Sequence, residues 1–300
     1  MKPIVILGPT AVGKSDIAVQ LAEKINAEII SADAYQIYRY MDIGTAKPTP
    51  QQLKRIRHHN ISILNPGEEY SSGRFVEDVE RLINEIKGRG KSVIIVGGTG
   101  FYVDSLLVRL DDIPPVSGQL KGFLDDVVHR YGCDTLYRWL ELLDEKWAGR
   151  ISESDAQRIK RGLSVFVETG KPISAYFGSK KRSEEFLVFV LYASKDYINK
   201  RIEKRVDAMV ASGLLEEVKK LIDMGYGSTS AMKAIGYREM SRYLAGEITF
   251  EDAVHLIKKN TKAYAKRQMT LLKNRFSSAV WINVEQTDAL REIMRHLPLP

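Results

Sequence analysis

The residues best suited to chemistry stand near the start of the chain. Gly8, Pro9, Thr10, Ala11, Val12, Gly13, Lys14 and Ser15 fill the pattern G-x-x-x-x-G-K-[ST] in full. In such a loop the glycines let successive backbone N–H groups turn inward around phosphate oxygens. A helix that opens at the loop adds the positive end of its dipole. Lys14 is then placed to neutralise phosphate charge, and the Ser15 hydroxyl to ligate Mg²⁺. The loop therefore predicts a diphosphate site. An acid, Asp33, lies just past the apolar stretch Glu28–Ser31. A lone Asp after a strand commonly caps a turn. Beside a phosphate loop it also suits a general base or an outer partner of Mg²⁺. Many ATPases and GTPases end a core strand in an Asp that holds Mg²⁺. Here the run Ser92–Val96 ends in Gly97-Gly98-Thr99-Gly100 without an acid, which counts against a molecular motor or a GTPase.

The elements that position these residues follow from periodicity. Pro3–Leu7 reads as a strand entering the glycine loop, and Ile17, Ala18, Leu21, Ala22 and Ile25 recur with helical spacing. Glu28–Ser31 and His59–Leu64 read as further strands, Ser72–Lys87 as a helix, and Ser92–Val96 as a β-branched strand. This alternation predicts an α/β fold: a P-loop NTPase-like core with a parallel sheet flanked by helices, plus a helical insertion domain. In such a sheet all strand C-termini open on one edge, so the loop, Asp33 and Thr99 should converge. Asp111-Asp112-Ile113-Pro114-Pro115 is a break. The expected division is 1–115 and 184–300 as the core domain with its C-terminal helices, and 116–183 as a helical insertion contacting RNA. Within it, helices are expected around Leu120–Tyr131, Leu136–Leu143 and Ile159–Val167, with Trp139 and Trp147 in its core. Strand character returns once, at Phe186–Tyr192. Beyond it helices are expected over 195–211, 213–224, 237–245 and 249–276.

Composition bounds the function class. The chain has 300 residues, 44% of them hydrophobic and 28% charged, which suits a globular protein of one or two domains. No apolar run approaches the ~20 residues a membrane span needs. The N-terminal apolar run ends in the glycine loop rather than a small-residue cleavage site, so a cytoplasmic protein is expected. Cys133 is the only cysteine, which leaves no internal disulfide or thiolate-rich zinc site. His58 and His59 are adjacent and would point to opposite faces of a strand. The net charge is +7, and residues 253–284 hold no Asp or Glu while carrying Lys258, Lys259, Lys262, Lys266, Arg267, Lys273 and Arg275. Such a one-signed stretch attracts phosphates; a solvated helix face is the alternative.

Several blocks together resemble a known family. Gly8-Pro-Thr-Ala-x-Gly-Lys-Ser15, Met41-Asp-Ile-Gly-Thr-Ala-Lys-Pro48 and Gly97-Gly-Thr-Gly-Phe-Tyr102 are similar to the tRNA dimethylallyltransferases, also called tRNA isopentenyltransferases. Arg201–Met209, Ala234-Ile-Gly-Tyr-Arg-Glu239 and Tyr264-Ala-Lys-Arg-Gln-Met-Thr270 agree, so the resemblance spans about residues 3–282. It implies transfer of a dimethylallyl group from dimethylallyl diphosphate to N6 of the adenosine just 3′ of the tRNA anticodon. The phosphate loop then holds the prenyl diphosphate, with Mg²⁺ bridging it to Ser15. By the same resemblance Asp33 accepts the proton that N6 loses, and Arg205, with Arg201, holds the leaving diphosphate. Thr99 contacts RNA near the reacting base; Asp33, Ala34, Tyr35 and Gln36 frame that base. Gln157, Arg158, Ile159, Lys160 and Arg161 grip the anticodon loop. The implied partners are dimethylallyl diphosphate and the tRNA anticodon stem-loop, with no membrane, and a monomer is expected. Ala34 stands where the family commonly has Ser, so no hydroxyl role is assigned there. Eukaryotic relatives carry a C-terminal zinc-finger extension; this chain ends at Pro300 and looks like the short bacterial form.

The implied chemistry is physically coherent. An exocyclic adenine amine is a poor nucleophile and must lose a proton, so a carboxylate within reach is needed. Lys14, Arg205, Mg²⁺ and the loop amides would stabilise charge that grows on the departing diphosphate. An RNA loop lets a base leave its stack cheaply. Blander readings stand beside these. Arg158 and Arg161 share one helix face that solvent alone explains, Arg205 has Glu203 and Asp207 as surface partners, and Tyr264 and Phe276 fit an apolar stripe. A small-molecule ATP kinase is the alternative activity, and a non-catalytic RNA-binding protein a third class.

Overall fold

The computed structural model describes residues 1–108, 113–114, 116–177 and 183–298. The chain divides into two compact units, Met1–Leu107 with Ser183–Pro300, and Val108–Arg182. The break expected at Asp111–Pro115 falls largely on residues outside this description.

The first unit begins with β1 (Ile4–Leu7), α1 (Lys14–Lys24), β2 (Ala27–Ser31), α2 (Pro50–Arg55), β3 (His58–His59), α3 (Ser72–Gly88), β4 (Ser92–Gly97) and α4 (Gly100–Val108). The second unit supplies α5 (Gly118–Tyr131), α6 (Cys133–Leu143), α7 (Glu145–Ala148) and α8 (Ala156–Thr169). The first unit then resumes with β5 (Leu187–Tyr192), α9 (Lys195–Ala211), α10 (Leu214–Asp223), α11 (Tyr237–Leu244), α12 (Phe250–Arg275), β6 (Val280–Asn283) and α13 (Ala289–Arg295).

The six strands lie in the order β3-β2-β4-β1-β5-β6, and every pairing is parallel. β1 is buried throughout, as a strand covered on both faces must be, and its Ile-Val-Ile-Leu run has no polar residue to place outward. Ile4 and Ile6 pack with Leu21, Ala22 and Ile202 on one face. Val5 and Leu7 pack with Phe75, Val79 and Val103 on the other.

The strand order decides where the chemistry falls. β4 lies between β2 and β1, with Ile30 opposite Ile95 and Leu7 opposite Gly97. The segments leaving these three strands are Asp33, Gly98-Thr99 and the Gly8 loop, so three neighbouring strand ends carry them to one place.

Some elements differ from the sequence expectation. β3 is only two residues, not the run His59–Leu64, because Asn60 and Ser62 take left-handed φ values of 58° and 53° and turn the chain out of the sheet. Leu64 returns as a lone bridge to Tyr38. β6 was not legible as a strand: Val-Trp-Ile-Asn is four residues long and follows directly on a long helix. The short helices α2 and α4 were also not foreseen.

The second unit has its own core, in which Leu124, Val127, Leu136, Leu140, Ile159 and Leu163 meet. Trp139, expected in that core, is 44% exposed because it falls beside the Leu136–Leu140 stripe. Trp147 is half-buried, and its Nε1 donates to the Arg158 carbonyl at 3.3 Å.

Candidate active site

A pocket opens where the three strand ends meet, and Thr10, Lys14, Ser15, Asp33, Gly98 and Arg205 are among its lining residues. α1 starts at Lys14, and Gly13 before it offers no side chain to cap the helix. The first amides of a helix lack intrahelical partners, so this end of α1 is suited to an anion. Lys14 is half-buried and its Nζ donates to the Pro9 carbonyl at 2.8 Å. Burial first, then the neighbouring Arg205, push its ammonium down to about 7, while Asp33 pulls the other way.

Arg205 reaches the loop from α9, its Nη1 donating to Thr10 Oγ1 at 3.4 Å. Burial, and next Arg201, lower its pKa. The acids that could have held it at the surface are taken by α12: Glu203 pairs with Lys262 and Asp207 with Lys258, each at 2.6 Å. Arg201 is exposed and lies over the Tyr197 ring. Its Nε donates to the Ala11 carbonyl at 2.7 Å.

Asp33 closes a local turn and also faces the pocket. Its Oδ1 accepts from the Tyr35 and Gln36 amides at 2.9 and 3.3 Å, a local turn that holds the carboxylate in place. The same side chain lines the pocket with Lys14 and Arg205. Thr99 Oγ1 accepts from the Ala34 amide at 3.1 Å, tying the end of β4 to the acid's own segment. The Gln36 side chain also lines the pocket. Its Oε1 accepts from Ser31 Oγ at 3.0 Å, and its Nε2 donates to the Thr45 and Ala46 carbonyls at 3.2 Å each.

A profile of the IPP transferase family matches residues 36–275. The chain belongs to this family. It is 44% identical over 276 residues to the tRNA dimethylallyltransferase of Carboxydothermus hydrogenoformans, covering 90% of this chain and 88% of that one. It is 42% identical over 300 residues to the tRNA dimethylallyltransferase of Thermotoga maritima, with 99% and 98% covered. Among solved structures, a tRNA isopentenylpyrophosphate transferase from Staphylococcus epidermidis superposes with a TM-score of 0.71 at 35% identity, covering 98% of this chain and 97% of that one. A eukaryotic dimethylallyltransferase acting on tRNA gives a TM-score of 0.84 at 29% identity, covering 98% and 78%.

The Met41–Pro48 block, one of those that carry the resemblance, is braced from several sides. The Glu217 carboxylate of α10 accepts from the Asp42, Ile43 and Gly44 amides at 2.9–3.1 Å, and from the Tyr237 hydroxyl at 2.6 Å. A Cβ on Gly44 would lie 2.4 Å from the Tyr237 ring, so glycine is required there by the closeness of that ring. Lys47 Nζ pairs with Asp42 at 2.6 Å and donates to Ser62 Oγ at 2.8 Å. Thr45, Ala46 and Pro48 of this loop line the pocket.

Sequence reasoning missed several residues here. Gln268 lines the pocket and contacts both the phosphate loop and the β4 end. Its signal was a polar residue on the buried face of α12, in register with Ile257, Ala265 and Leu272. Tyr264, expected in the core, also lines the pocket; burial, then the Asp33 charge, raise its pKa. His58 lines the β2–β3 side, its Nδ1 hydrogen-bonded to the Ile56 carbonyl at 2.8 Å. Phe276 is core, as expected.

The expected anticodon contacts all lie on α8. Gln157 and Arg158 are exposed, and Lys160 and Arg161 half-exposed. Arg158 pairs with Asp155 at 3.3 Å and Lys160 with Asp125, while Arg161 Nη2 donates to the Pro114 carbonyl at 3.0 Å. Ile159 is a correction: its side chain is 0% exposed, because the inward face of α8 needs an apolar residue there, so it packs the unit's core rather than presenting a side chain to a partner. The 253–284 stretch is less one-signed in space than in sequence, since α9 sets Glu203 and Asp207 against its lysines. Lys259, Lys266, Arg267 and Lys273 of that stretch are exposed.

Proposed function

We propose that this chain transfers the dimethylallyl group of dimethylallyl diphosphate to N6 of the adenosine just 3′ of a tRNA anticodon, releasing diphosphate. One observation carries the reading: a phosphate loop and a carboxylate meet at three adjacent strand ends in a chain of the IPP transferase family. The kinase alternative shares the loop but has no use for the braced Met41–Pro48 wall. No helix among the described residues is long and apolar enough to cross a membrane.

In this reading the diphosphate sits on the N-terminal amides of α1, with Lys14 and Arg205 beside it. The adenine N6 attacks the allylic carbon, the C–O bond to diphosphate breaks, and Asp33 takes the proton N6 loses. Lys14 and Arg205 stabilise the charge that grows on the departing oxygen. Both side chains are half-buried, which makes that stabilisation stronger than at an exposed surface. A diphosphate beside Lys14 favours its charged form, so binding restores the proton that burial tends to remove. Thr99 and the Asp33–Gln36 segment frame the base.

Among the described residues no group of three or more His, Cys, Asp or Glu side chains is arranged to hold a metal. Mg²⁺ carried largely on phosphate oxygens and water needs only one or two protein ligands. The Ser15 hydroxyl, on the pocket lining with Asp33, fits that need. Bound there, Mg²⁺ would supply further charge neutralisation on the diphosphate. The exposed cations of α8, and the anticodon stem-loop as their partner, belong to the same reading, as do a monomer and a cytoplasmic location.

The test is nucleoside mass analysis of tRNA incubated with the protein, Mg²⁺ and dimethylallyl diphosphate. A mass gain of one dimethylallyl group on adenosine is expected. Phosphorylation of a small metabolite from ATP, with no prenylated nucleoside, would overturn the reading.

A further inference from the structure

The geometry points to Gln268 as a positioning residue that sets the spacing between the diphosphate cradle and the acid edge; this rests on the transferase reading above. Gln268 projects from α12 and is 7% exposed. Its Oε1 accepts from the Thr10 amide at 2.8 Å, and its Nε2 donates to the Gly98 carbonyl at 2.8 Å. One side chain thus joins two strand ends that are 88 residues apart in sequence (98 − 10). A side-chain amide presents an acceptor and a donor on one planar head, whereas Glu, Met and Leu each fail at least one end.

Both ends of this bridge lead into the reacting groups. Thr10 is held twice, by Gln268 at its amide and by Arg205 at its hydroxyl. Gly98 precedes Thr99, whose amide donates to the Ala32 carbonyl at 3.2 Å and whose hydroxyl accepts from Ala34. A continuous hydrogen-bonded path therefore runs from the phosphate loop through Gln268 to the residues flanking Asp33. Gly98 leaves space for the bridge: a Cβ there would lie 2.4 Å from Gln268 Nε2. An in-line displacement needs the leaving diphosphate, the allylic carbon and N6 at fixed separations, and misplacement by about 1 Å can cost 10²-fold. Gln268 touches neither reacting atom; it holds the two sides of the pocket at their distance.

The experiment measures single-turnover prenyl transfer by full-length Q268E, Q268M, G98A and the double variant G98A/Q268M, with Mg²⁺ and both substrates saturating. Rates are normalised to folded protein by circular dichroism, and tRNA binding is measured separately. Q268E keeps the shape and the acceptor for Thr10 but loses the donor to Gly98, so it reports even if Q268M fails to fold. Expected are rates about 10–100-fold lower for both Gln268 single variants, with tRNA affinity within about threefold of the parent. G98A should slow the reaction similarly by pushing the amide aside. The double variant should be no slower than either single, because both changes break the same bridge. A Q268E rate within threefold of the parent, or losses that multiply in the double variant, would overturn the inference. A parent protein that transfers no prenyl group would instead overturn the transferase reading.

Discussion

Gly8–Ser15 and Met41–Pro48 line the same pocket, yet they are held in place by opposite means. In the transferase reading the first is shaped for a ligand. The start of α1 has no side-chain cap, and Arg205 and Gln268 reach the loop only at Thr10. The second is shaped by the protein itself. Three successive amides close on Glu217, Lys47 folds back onto Asp42 and Ser62, and Gly44 packs close against Tyr237. A loop whose polar groups wait for a ligand can be read as chemistry from its residue types. A loop whose polar groups are spent on its own brace cannot, and its meaning came only through resemblance.

Changes at the ligand-facing edge should act on the reaction, and changes in the braced loop on stability. The largest effect is expected at Asp33. D33N keeps the size and the turn but cannot take a proton, so single-turnover transfer should fall roughly 10²–10⁴-fold with both substrates still bound. A rate within about threefold of the parent would remove Asp33 as the base. K14A comes next, slowing transfer by about 10²–10³-fold and also weakening pyrophosphate binding in calorimetry. Unchanged pyrophosphate affinity would detach Lys14 from the diphosphate.

G44A probes the other loop. The added Cβ meets the Tyr237 ring, and overpacking of this kind costs about 1–3 kcal/mol. The urea midpoint should drop while pyrophosphate affinity stays within about twofold. An unchanged midpoint would mean the brace is slack and the contrast between the loops is false.

The smallest effect is one of pH. The Lys14 ammonium titrates near 7 rather than at its ordinary 10.5, and the diphosphate complex prefers it charged. Below about pH 7 the free protein already carries that proton, so affinity is level. Between about 7 and 10.5 the proton must be taken up on binding, so affinity should fall by at most about tenfold per pH unit. K14R keeps its charge throughout, so the difference between the two proteins removes pyrophosphate's own ionisation. Parallel pH profiles would count against the buried ammonium.

The core of the fold was legible because it depends on short-range rules. The β1–loop–α1 unit, the β-branched run of β4 and the long helices α9 and α12 follow from period and punctuation. What was not legible depends on contacts between distant segments. Whether Tyr264 faces core or pocket is fixed by where α12 crosses the strand ends, which no helical period records. Ile159 stands inside a basic cluster in sequence, yet the turn of α8 sends it inward while its neighbours stay out. Gln268 and Glu217 find their partners across 258 and about 175 residues of chain. Glu28 is a further instance. Its burial would raise its carboxyl, but hydrogen bonds from Arg89, His59 and Lys91 outweigh that and hold it at about 2. Those partners come from β3 and from the end of α3 and the start of β4, so the pairing becomes visible only once the sheet is assembled.

The two chain ends that frame the helical unit also have a practical meaning. The Ser183 amide donates to the Leu107 carbonyl at 2.7 Å, so the chain departs from the first unit and rejoins it at a single seam. Insertions that enter and leave side by side can be excised and closed with a short linker. A trimmed protein made this way would keep the phosphate loop, Asp33, Arg205 and Gln268, and its six parallel strands would lose no pairing. It would be a minimal scaffold on which diphosphate capture could be tested without the helical unit.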